Sequence, residues 1–249
     1  MNHATQQGTR QENQENQDIP ALFLPGWGFG VRPLQNTLAK TRWRPLPLPG
    51  AEPGEEIPAT FAAARDRVLA SLPPVCHLGG WSLGAMLALA CAGKAPGRIL
   101  TLSLVAATPS FIRREHWDYG RPPGELQAFM DMIKSQGASL LPRFAGSFCR
   151  GDACEQAAAS LVGSMQAMPQ AALERGLEWL YEADLREEAG SISCPVTLLH
   201  GENDPLIVPE AARWLAARLP RARLVLMPGR AHAPFAGDDA AFLQELPKP

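Results

Sequence analysis

Gly80-Trp81-Ser82-Leu83-Gly84 is the most informative motif of this chain. It follows the apolar run Pro74-Val75-Cys76-His77-Leu78 and leads into Ala85-Met86-Leu87-Ala88-Leu89-Ala90, which favours a helix. A G-x-S-x-G between a strand and a helix is typical of a nucleophile elbow, where small flanking residues let the helix pack close to the strand. The pattern predicts that Ser82 is presented at a strand end. A glycine-rich turn with an incidental serine is the alternative.

A nucleophilic serine needs a general base, usually a histidine whose second ring nitrogen is held by a carboxylate. Downstream, Pro195-Val196-Thr197-Leu198-Leu199-His200 has the pattern of a buried strand, and the turn after it carries Asp204. A second strand pattern at residues 223–227 is followed by a turn that carries His232. The order serine, acid, histidine along the chain predicts Ser82, Asp204 and His232 as a catalytic triad.

Other histidines and one other carboxylate compete for these roles. His3 lies in a polar tail, His77 lies within the strand before the elbow, and His116 falls in a charged segment. His200 ends a strand close to Asp204 and could support it. Glu202 competes with Asp204, although a solvated carboxylate on the turn is the expected state of Glu202.

A tetrahedral intermediate also needs two hydrogen-bond donors for its oxyanion. The backbone N–H of Leu83, directly after the nucleophile, supplies one by position. The second is expected from the glycine-rich turn after an early strand, Pro25-Gly26-Trp27-Gly28, and we assign it to the N–H of Trp27. A β-turn in which Trp27 is merely packed is the alternative.

The composition indicates one catalytic unit without a nucleic-acid partner. The chain has 249 residues, is 46% hydrophobic and carries a formal net charge of -2, without the basic face of a nucleic-acid binder. Residues 1–18 are polar and predict a disordered tail. We expect no signal peptide, no membrane span and a cytoplasmic location. The five cysteines predict free thiols, and we expect no metal and no cofactor.

The apolar patterns alternate between strand and helix at both ends of the chain. This alternation predicts an α/β fold whose mostly parallel sheet is covered by helices on both faces, with a core of residues 19–108 and 194–249. Residues 109–193 predict helices only, and we expect them to form a cap over the site. The predicted strands are 21–24, 44–48, 75–78, 99–106, 196–200 and 223–227; the predicted helices are 59–71, 83–93, 125–135, 140–148, 154–167, 170–181, 210–218 and 238–246.

Together these motifs resemble the α/β-hydrolase family, and within it the pimeloyl-[acyl-carrier-protein] methyl ester esterases of biotin synthesis. The likeness runs from about residue 22 to residue 246. It is carried by the elbow and by the stretches Gly26-Trp27-Gly28, Ala107-Thr108-Pro109-Ser110-Phe111, Asp184-Leu185-Arg186 and Ala231-His232-Ala233-Pro234-Phe235.

The resemblance implies a function that the residues alone do not give. It implies hydrolysis of a methyl ester on a pimeloyl chain that is still attached to its acyl-carrier protein, the expected partner. It also implies a substrate-binding set: Trp27, Ser82, Leu83, Arg143, Phe144, Phe148 and His232. Arg143 would contact the acidic carrier.

The same motifs also suit other functions. The same triad could act on small esters, on peptides with an N-terminal proline or on ring-cleavage products. A non-catalytic ligand-binding protein of the same fold is a further alternative, although such a protein would have no need for the three triad residues together.

Overall fold

The computed structural model describes residues 19–148, 161–162, 168–237 and 239–249. The strands are β1 (Ala21–Leu24), β2 (Trp43–Pro45), β3 (Cys76–Trp81), β4 (Ile99–Val105), β5 (Val196–Gly201) and β6 (Ala222–Met227). The helices are α1 (Arg32–Leu38), α2 (Phe61–Ser71), α3 (Leu83–Lys94), α4 (Pro123–Gln136), α5 (Leu141–Phe148), α6 (Gln170–Glu182), α7 (Pro209–Arg218) and α8 (Ala240–Glu245), with short 3₁₀ helices at Gly137–Leu140 and Glu188–Ser191.

The six strands form one sheet in the order β2-β1-β3-β4-β5-β6, and every neighbouring pair is parallel. The chain therefore winds outward in opposite directions from β1 and β3. Open parallel sheets bind their ligands beyond the carboxyl ends of the strands, at such a point of reversal. The turns that follow β1 and β3 contain Trp27 and Ser82, so both lie at this point.

The centre of the sheet is apolar on both faces because helices cover it. Every residue of β3 is buried, and α3 is buried from Leu83 to Ala92 between the sheet and its surroundings. Burial on both sides explains why these stretches read as continuous apolar runs instead of alternating patterns. The predicted α/β fold with a parallel sheet is confirmed.

Two local differences from the sequence prediction have clear causes. The edge strand β2 ends at Pro45, although the sequence predicts a strand over residues 44–48; Leu46 still donates to the Phe23 carbonyl, but the chain then turns away at Leu48, whose carbonyl accepts from Ala51 N–H at 3.1 Å. Helix α1 was not predicted. It begins after Val31, whose side chain makes no capping hydrogen bond, so the usual start signal is missing.

Residues 109–193 lie between β4 and β5, and we call them the inserted segment. Its helices α4, α5 and α6 agree with the predicted ones to within two residues. The predicted helix at residues 154–167 lies outside the described residues except at 161–162, and the predicted tail of residues 1–18 lies outside them entirely. Hydrogen bonds hold the two ends of the inserted segment together: Leu185 N–H donates to the Pro109 carbonyl at 2.8 Å.

The guanidinium of Arg114 adds a second tie between these ends. It donates to the carbonyls of Tyr181 and Glu182, at 2.7 and 3.0 Å, and to the Ser110 hydroxyl at 2.9 Å. Carbonyl groups in the last turn of a helix have no partner within the helix. Arg114 therefore caps the carboxyl end of α6 and fixes it against the start of the inserted segment.

Candidate active site

The turn between β3 and α3 has the sharp geometry of an elbow. Ser82 has φ 55° and ψ −118°. A positive φ is uncommon for residues other than glycine. A methyl group on Gly80 would lie 2.2 Å from the Gly84 carbonyl oxygen, and one on Gly84 would lie 2.4 Å from the Pro25 carbonyl oxygen. Both positions need glycine because strand, helix and the neighbouring turn approach so closely.

Ser82, His232 and Asp204 lie in one hydrogen-bonded row. The Ser82 Oγ is 2.9 Å from His232 Nε2, and His232 Nδ1 is 2.8 Å from Asp204 Oδ2. All three side chains are buried, with Ser82 the most exposed at 8%. With a proton on Nδ1, the imidazole donates to the carboxylate and leaves Nε2 to accept the serine proton. This is the geometry that a serine nucleophile, its base and the orienting acid require.

Asp204 is held as a carboxylate by its surroundings. Burial alone would raise the pKa of Asp204. The charge of His232 and its hydrogen bond lower the pKa by more than burial raises it, so the pKa lies below its ordinary value. The other carboxylate oxygen, Oδ1, accepts from the backbone N–H groups of Leu206 and Ile207 at 2.9 and 3.0 Å. An ionised, fixed Asp204 favours the tautomer of His232 that carries its proton on Nδ1.

His200 supports the turn that carries Asp204. Its Nε2 donates to the Ile207 carbonyl at 2.8 Å and lies 3.4 Å from Asp204 Oδ2, while its Nδ1 is buried without a hydrogen-bond partner among the described residues. Burial lowers the pKa of His200 despite the attraction of Asp204. His200 is therefore a neutral neighbour of the row. Glu202 is exposed on the turn.

The indole of Trp81 holds the backbone of His232, a contact that sequence reasoning missed. Trp81 Nε1–H donates to the His232 carbonyl at 2.8 Å, and the ring packs against Phe29 and Phe235. The side chain of Trp81 is fully buried. Trp81, directly before Ser82, thus holds the loop that carries His232. The aromatic residue within the G-x-S-x-G motif was the only local signal for this contact. It could not identify the partner, which lies 151 residues away in the sequence.

The two predicted oxyanion donors lie on the turns next to Ser82. Leu83 is the first residue of α3, where backbone N–H groups have no acceptor within the helix. Gly26 accepts from Phe29 N–H at 3.2 Å, and Gly28 has φ 76°, which is the pattern of a type II turn with Trp27 and Gly28 at its centre. The hydrogen bond of this turn does not use the Trp27 N–H.

The Ser82 hydroxyl opens onto a cavity of about 710 Å³, including its open mouth. Most of its wall is apolar and comes from the inserted segment and the turn after β1. Ser82 and His232 lie in the wall, together with a charged pair from the inserted segment. The wall is formed by Gly26, Trp27, Phe29, Trp81, Ser82, Phe111, Arg121, Glu125, Leu126, Phe129, Phe144, Leu177, Leu180, Leu206 and His232.

Trp27 connects the cavity to the inserted segment. Its indole N–H donates to the Leu173 carbonyl of α6 at 2.8 Å, and its ring meets Phe129 and Phe144 edge-on at 5.6 and 5.1 Å. Phe129 and Phe144 stack on each other at 4.7 Å. The three rings form one aromatic wall of the cavity.

The other residues expected to bind substrate differ in their placement. Phe144 lines the cavity, whereas Leu83 is buried and is not among the residues of its wall. Arg143 is exposed on α5 and lines a shallow neighbouring groove with Met132, Leu140 and the two stacked rings. The side chain of Phe148 lies outside the described residues. Sequence reasoning missed Phe129, Arg121 and Glu125, because only the packing of the inserted segment brings them to the cavity.

Histidines and cysteines also lie outside the row of Ser82, His232 and Asp204 in the described part of the chain. There, no group of three or more His, Cys, Asp or Glu side chains could hold a metal ion, and no helix is long and apolar enough to cross a membrane. His77 is a buried histidine bonded to the Thr101 hydroxyl at 2.7 Å. Cys91 is a buried free thiol whose pKa burial raises to about 12, so it is not a reactive nucleophile.

Comparison with known proteins identifies the family. The model of the alpha/beta hydrolase family matches residues 21–245. A pimeloyl-[acyl-carrier protein] methyl ester esterase of Nitrosomonas europaea is 34% identical over 86% of this chain and 88% of its own length. One of the same name from Aromatoleum aromaticum is 34% identical over 90% of this chain and 96% of its own length.

Solved structures show the same fold at lower identity. The esterase EaEST from Exiguobacterium antarcticum superposes with a TM-score of 0.80 at 18% identity, covering 92% of this chain and 91% of that one. A bromoperoxidase from Bacillus anthracis superposes with a TM-score of 0.79 at 16% identity, covering 92% of each chain. The sheet, the elbow after β3 and the match over nearly the whole chain lead to one conclusion: the chain belongs to the alpha/beta hydrolase family.

Proposed function

We propose that this protein is a cofactor-independent serine carboxylesterase that removes the methyl ester from pimeloyl-acyl-carrier protein. The observation that carries the proposal is the row of Ser82, His232 and Asp204, which meets an apolar cavity with the hydroxyl facing it. An apolar cavity with few polar groups suits an aliphatic acyl chain whose polar ester lies at the nucleophile.

In the first half of the reaction, Ser82 Oγ attacks the ester carbonyl while His232 Nε2 takes the hydroxyl proton. The carbonyl oxygen becomes an oxyanion, which the N–H groups of Leu83 and Trp27 stabilise. When the intermediate collapses, the C–O bond to the methoxy group breaks. His232 returns the proton to that oxygen and methanol leaves, with the acyl group bonded to Ser82.

In the second half, water replaces methanol. His232 Nε2 takes a proton from the water as its oxygen attacks the acyl carbon, and the second intermediate collapses to the free carboxylic acid and the Ser82 hydroxyl. Asp204 remains ionised throughout and stabilises the imidazolium that forms twice. One water is consumed, and one acid and one methanol are produced.

The substrate is proposed from the relatives and from the form of the cavity. The relatives from Nitrosomonas europaea and Aromatoleum aromaticum are both named pimeloyl-[acyl-carrier protein] methyl ester esterase, and they align over 86% and 90% of this chain. We propose that the inserted segment acts as a cap, since α4, α5 and α6 contribute the aromatic and aliphatic wall. The free thiols Cys76, Cys91 and Cys194 suit a reducing compartment, so we propose a cytoplasmic location.

The acyl-carrier protein is the proposed partner, and Arg143 is the proposed contact. Arg143 is exposed beside the groove that shares Phe129 and Phe144 with the cavity. A cation there would attract an acidic carrier and hold it where its acyl chain can enter. Arg150, which could add to this charge, lies outside the described residues.

Genetic complementation tests the biological substrate. A biotin auxotroph that lacks its methyl esterase should grow without biotin when it expresses this protein, and should fail to grow with an equally abundant Ser82→Ala variant. Growth with the Ser82→Ala variant would contradict the proposed chemistry. Failure of the unaltered protein, together with activity on small esters in vitro, would favour a small-ester hydrolase.

The carrier contact has its own test. Arg143→Glu should slow hydrolysis of the carrier-linked ester more than hydrolysis of the free methyl ester, and the difference should shrink with added salt, because salt screens exposed charges beyond about 8 Å. Arg67→Glu is the matched control: it makes the same charge change on α2, away from the cavity. Equal slowing of both substrates would contradict a docking role for Arg143.

A further inference from the structure

A pair of opposite charges lies in the otherwise apolar wall of the cavity. Arg121 and Glu125 both line the cavity, and the Arg121 guanidinium is paired with the Glu125 carboxylate. Their side chains are 42% and 54% exposed, so the pair lies where the cavity meets solvent. The proposed chemistry at Ser82 does not use either residue.

The backbone of Arg121 is fixed on both sides. Its N–H donates to the Phe111 carbonyl and its carbonyl accepts from Arg113 N–H, each at 2.8 Å. Phe111 is itself part of the cavity wall. Two prolines follow, and Glu125 lies in the first turn of α4. The Arg121 side chain therefore extends from an anchored backbone at the mouth of the cavity, and its guanidinium reaches Glu125, four residues later in the chain.

The pair offers both a donor and an acceptor to a ligand. A guanidinium has five N–H donors and a carboxylate has two acceptor oxygens. Among the described residues, the only side-chain partner of the Arg121 guanidinium is Glu125, which leaves donors of Arg121 and one oxygen of Glu125 unused. Exposed ion pairs contribute little to stability, so the two groups can adjust to a ligand at low cost.

The charges decide which ligand group fits this pair. An anion at Arg121 would also face the Glu125 carboxylate, and a cation at Glu125 would face the guanidinium, so each would meet a repulsive neighbour. If the exposed pair opens, a neutral secondary amide fits between its two groups: the amide carbonyl accepts from Arg121 on one side, and the N–H, on the opposite side of the trans amide, donates to Glu125. A neutral donor–acceptor pair in a ligand therefore matches the net-neutral pair in the wall.

We propose that Arg121 and Glu125 form a specificity subsite for a secondary amide in the group attached to the far end of the acyl chain. The inference rests on the proposed function, in which the ester lies at Ser82 and the other end of the chain leaves through the mouth. A substrate with an amide-containing thioester arm is preferred over one with a plain alkyl arm. The subsite selects the arm without any contact with the carrier protein.

The test compares two small substrates that share the same methyl ester. Both are thioesters of the pimelic acid monomethyl ester; one is formed with N-acetylcysteamine, which has a secondary amide, and the other with an alkyl thiol of the same length. Methanol release gives kcat/KM for each, and the ratio of the two values cancels effects common to both. Because solvent weakens hydrogen bonds to an ion pair as exposed as this one, Arg121→Ala and Glu125→Ala should each lower the ratio about 3- to 10-fold.

Further variants separate an amide site from other roles. Glu125→Gln keeps an acceptor and should retain more of the ratio than Glu125→Ala. Arg67→Ala and Glu56→Ala are the controls, because Arg67 is as exposed as Arg121, at 43%, and its ion pair with the more exposed Glu56 lies outside the cavity wall. Both controls should leave the ratio unchanged. Thermal unfolding of each variant checks that the fold is kept.

Three outcomes would overturn the inference. An unchanged ratio of kcat/KM values in Arg121→Ala and Glu125→Ala would show that the pair does not recognise the amide of the thioester arm. A third thioester with a phosphate at the end of its arm tests an anion site: faster hydrolysis in Glu125→Gln, with a loss in Arg121→Ala for this substrate alone, would replace the amide by an anion. If the unaltered protein released no methanol from any thioester, the proposed function would fail first and the inference with it.

Discussion

The turns after β3, β5 and β6 hold Ser82, Asp204 and His232 through hydrogen bonds, whereas the inserted segment forms the cavity wall mainly through apolar contacts. In the turns, each functional atom has a named partner at 2.8–3.0 Å. In the wall, rings meet at 4.7–5.6 Å. Directional bonds fix single atoms, while packing fixes a shape. Changes in the turns should therefore lower kcat, and changes in the wall should alter the choice of substrate.

The largest effect after loss of the nucleophile is expected at Asp204. Asp204→Asn should lower kcat about 10³- to 10⁴-fold, because an amide does not hold the His232 proton on Nδ1 as a carboxylate does. Hydrolysis of a short p-nitrophenyl ester measures it. Glu202→Gln is the matched control: it changes a carboxylate on the same turn that is exposed and should keep most of the activity. Equal losses of kcat in the two variants would contradict the assignment of Asp204 as the acid of the triad.

A smaller loss of activity is expected where α6 of the inserted segment packs against Trp27. A methyl group on Gly176 of α6 would lie 2.6 Å from Trp27 Cδ1, so Gly176→Ala should displace the indole and the turn with it. Misplacement of this size at an active site lowers kcat/KM about 10- to 100-fold.

The control for Gly176 is another helical glycine of the inserted segment. A methyl group on Gly146 of α5 meets nothing within 4 Å, so Gly146→Ala should keep kcat/KM and should slightly stabilise the helix. Crystal structures of both variants would show whether the Trp27 ring moves. Wild-type kcat/KM in Gly176→Ala would contradict the coupling of α6 to the turn of Trp27.

A loss of several-fold in kcat is expected for Trp81→Phe, which removes the indole N–H from the His232 carbonyl. The free energy of unfolding of the variant should also be lower by about 1 kcal/mol, and by more if the buried His232 carbonyl finds no other donor. Trp43→Phe is matched to it, since Trp43 Nε1 donates to the Pro247 carbonyl at 2.9 Å, far from the site. Trp43→Phe should cost stability without a loss of kcat. Similar kcat losses in both would show that Trp81 acts only through stability.

The smallest effect concerns acid stability. Burial lowers the pKa of His200, and the pKa of Asp204 is also lowered. For both groups the unfolded chain takes up a proton at a higher pH than the folded protein does, so their contribution to stability is present above the unfolded pKa and is lost as the pH falls through the folded pKa.

The pH window of the His200 contribution begins near the ordinary pKa of histidine, about 6.5. His200→Gln should flatten the fall in unfolding free energy on acidification below this pH, by at most about 1.4 kcal/mol per pH unit. Urea unfolding at several pH values measures the slope. His116→Gln removes an exposed histidine and should leave the slope as it is. An unaltered slope in His200→Gln would contradict the role of burial at His200.

The sequence revealed the parts of the molecule whose constraints are local. The elbow needs Gly80 and Gly84 beside its serine, and Asp204 and His232 each follow a strand in a fixed order along the chain. The parallel sheet could be predicted because buried strands and amphipathic helices alternate. Each of these signals lies within a few residues of the feature that it predicts.

Features that depend on distant partners could not be predicted in this way. The Trp81 indole bonds to a residue 151 positions away, and Arg121 reaches the cavity only because Phe111 and α4 pack beside it. Nothing in the local sequence distinguishes Arg121 from the exposed Arg67, which has nearly the same exposure and also pairs with a glutamate. Position in the fold, and not residue type, separates a residue of the wall from one of the outer surface.

Methanol release from pimeloyl-acyl-carrier protein methyl ester is the decisive assay for the proposed reaction at Ser82. The protein should release one methanol per carrier and leave the thioester intact, because the methyl ester, and not the thioester, lies at Ser82. Ser82→Ala, with unchanged thermal unfolding, should lower the rate about 10⁴-fold or more. Release of methanol by Ser82→Ala at a comparable rate, or cleavage of the thioester by the unaltered protein, would rule out a methyl esterase that depends on Ser82.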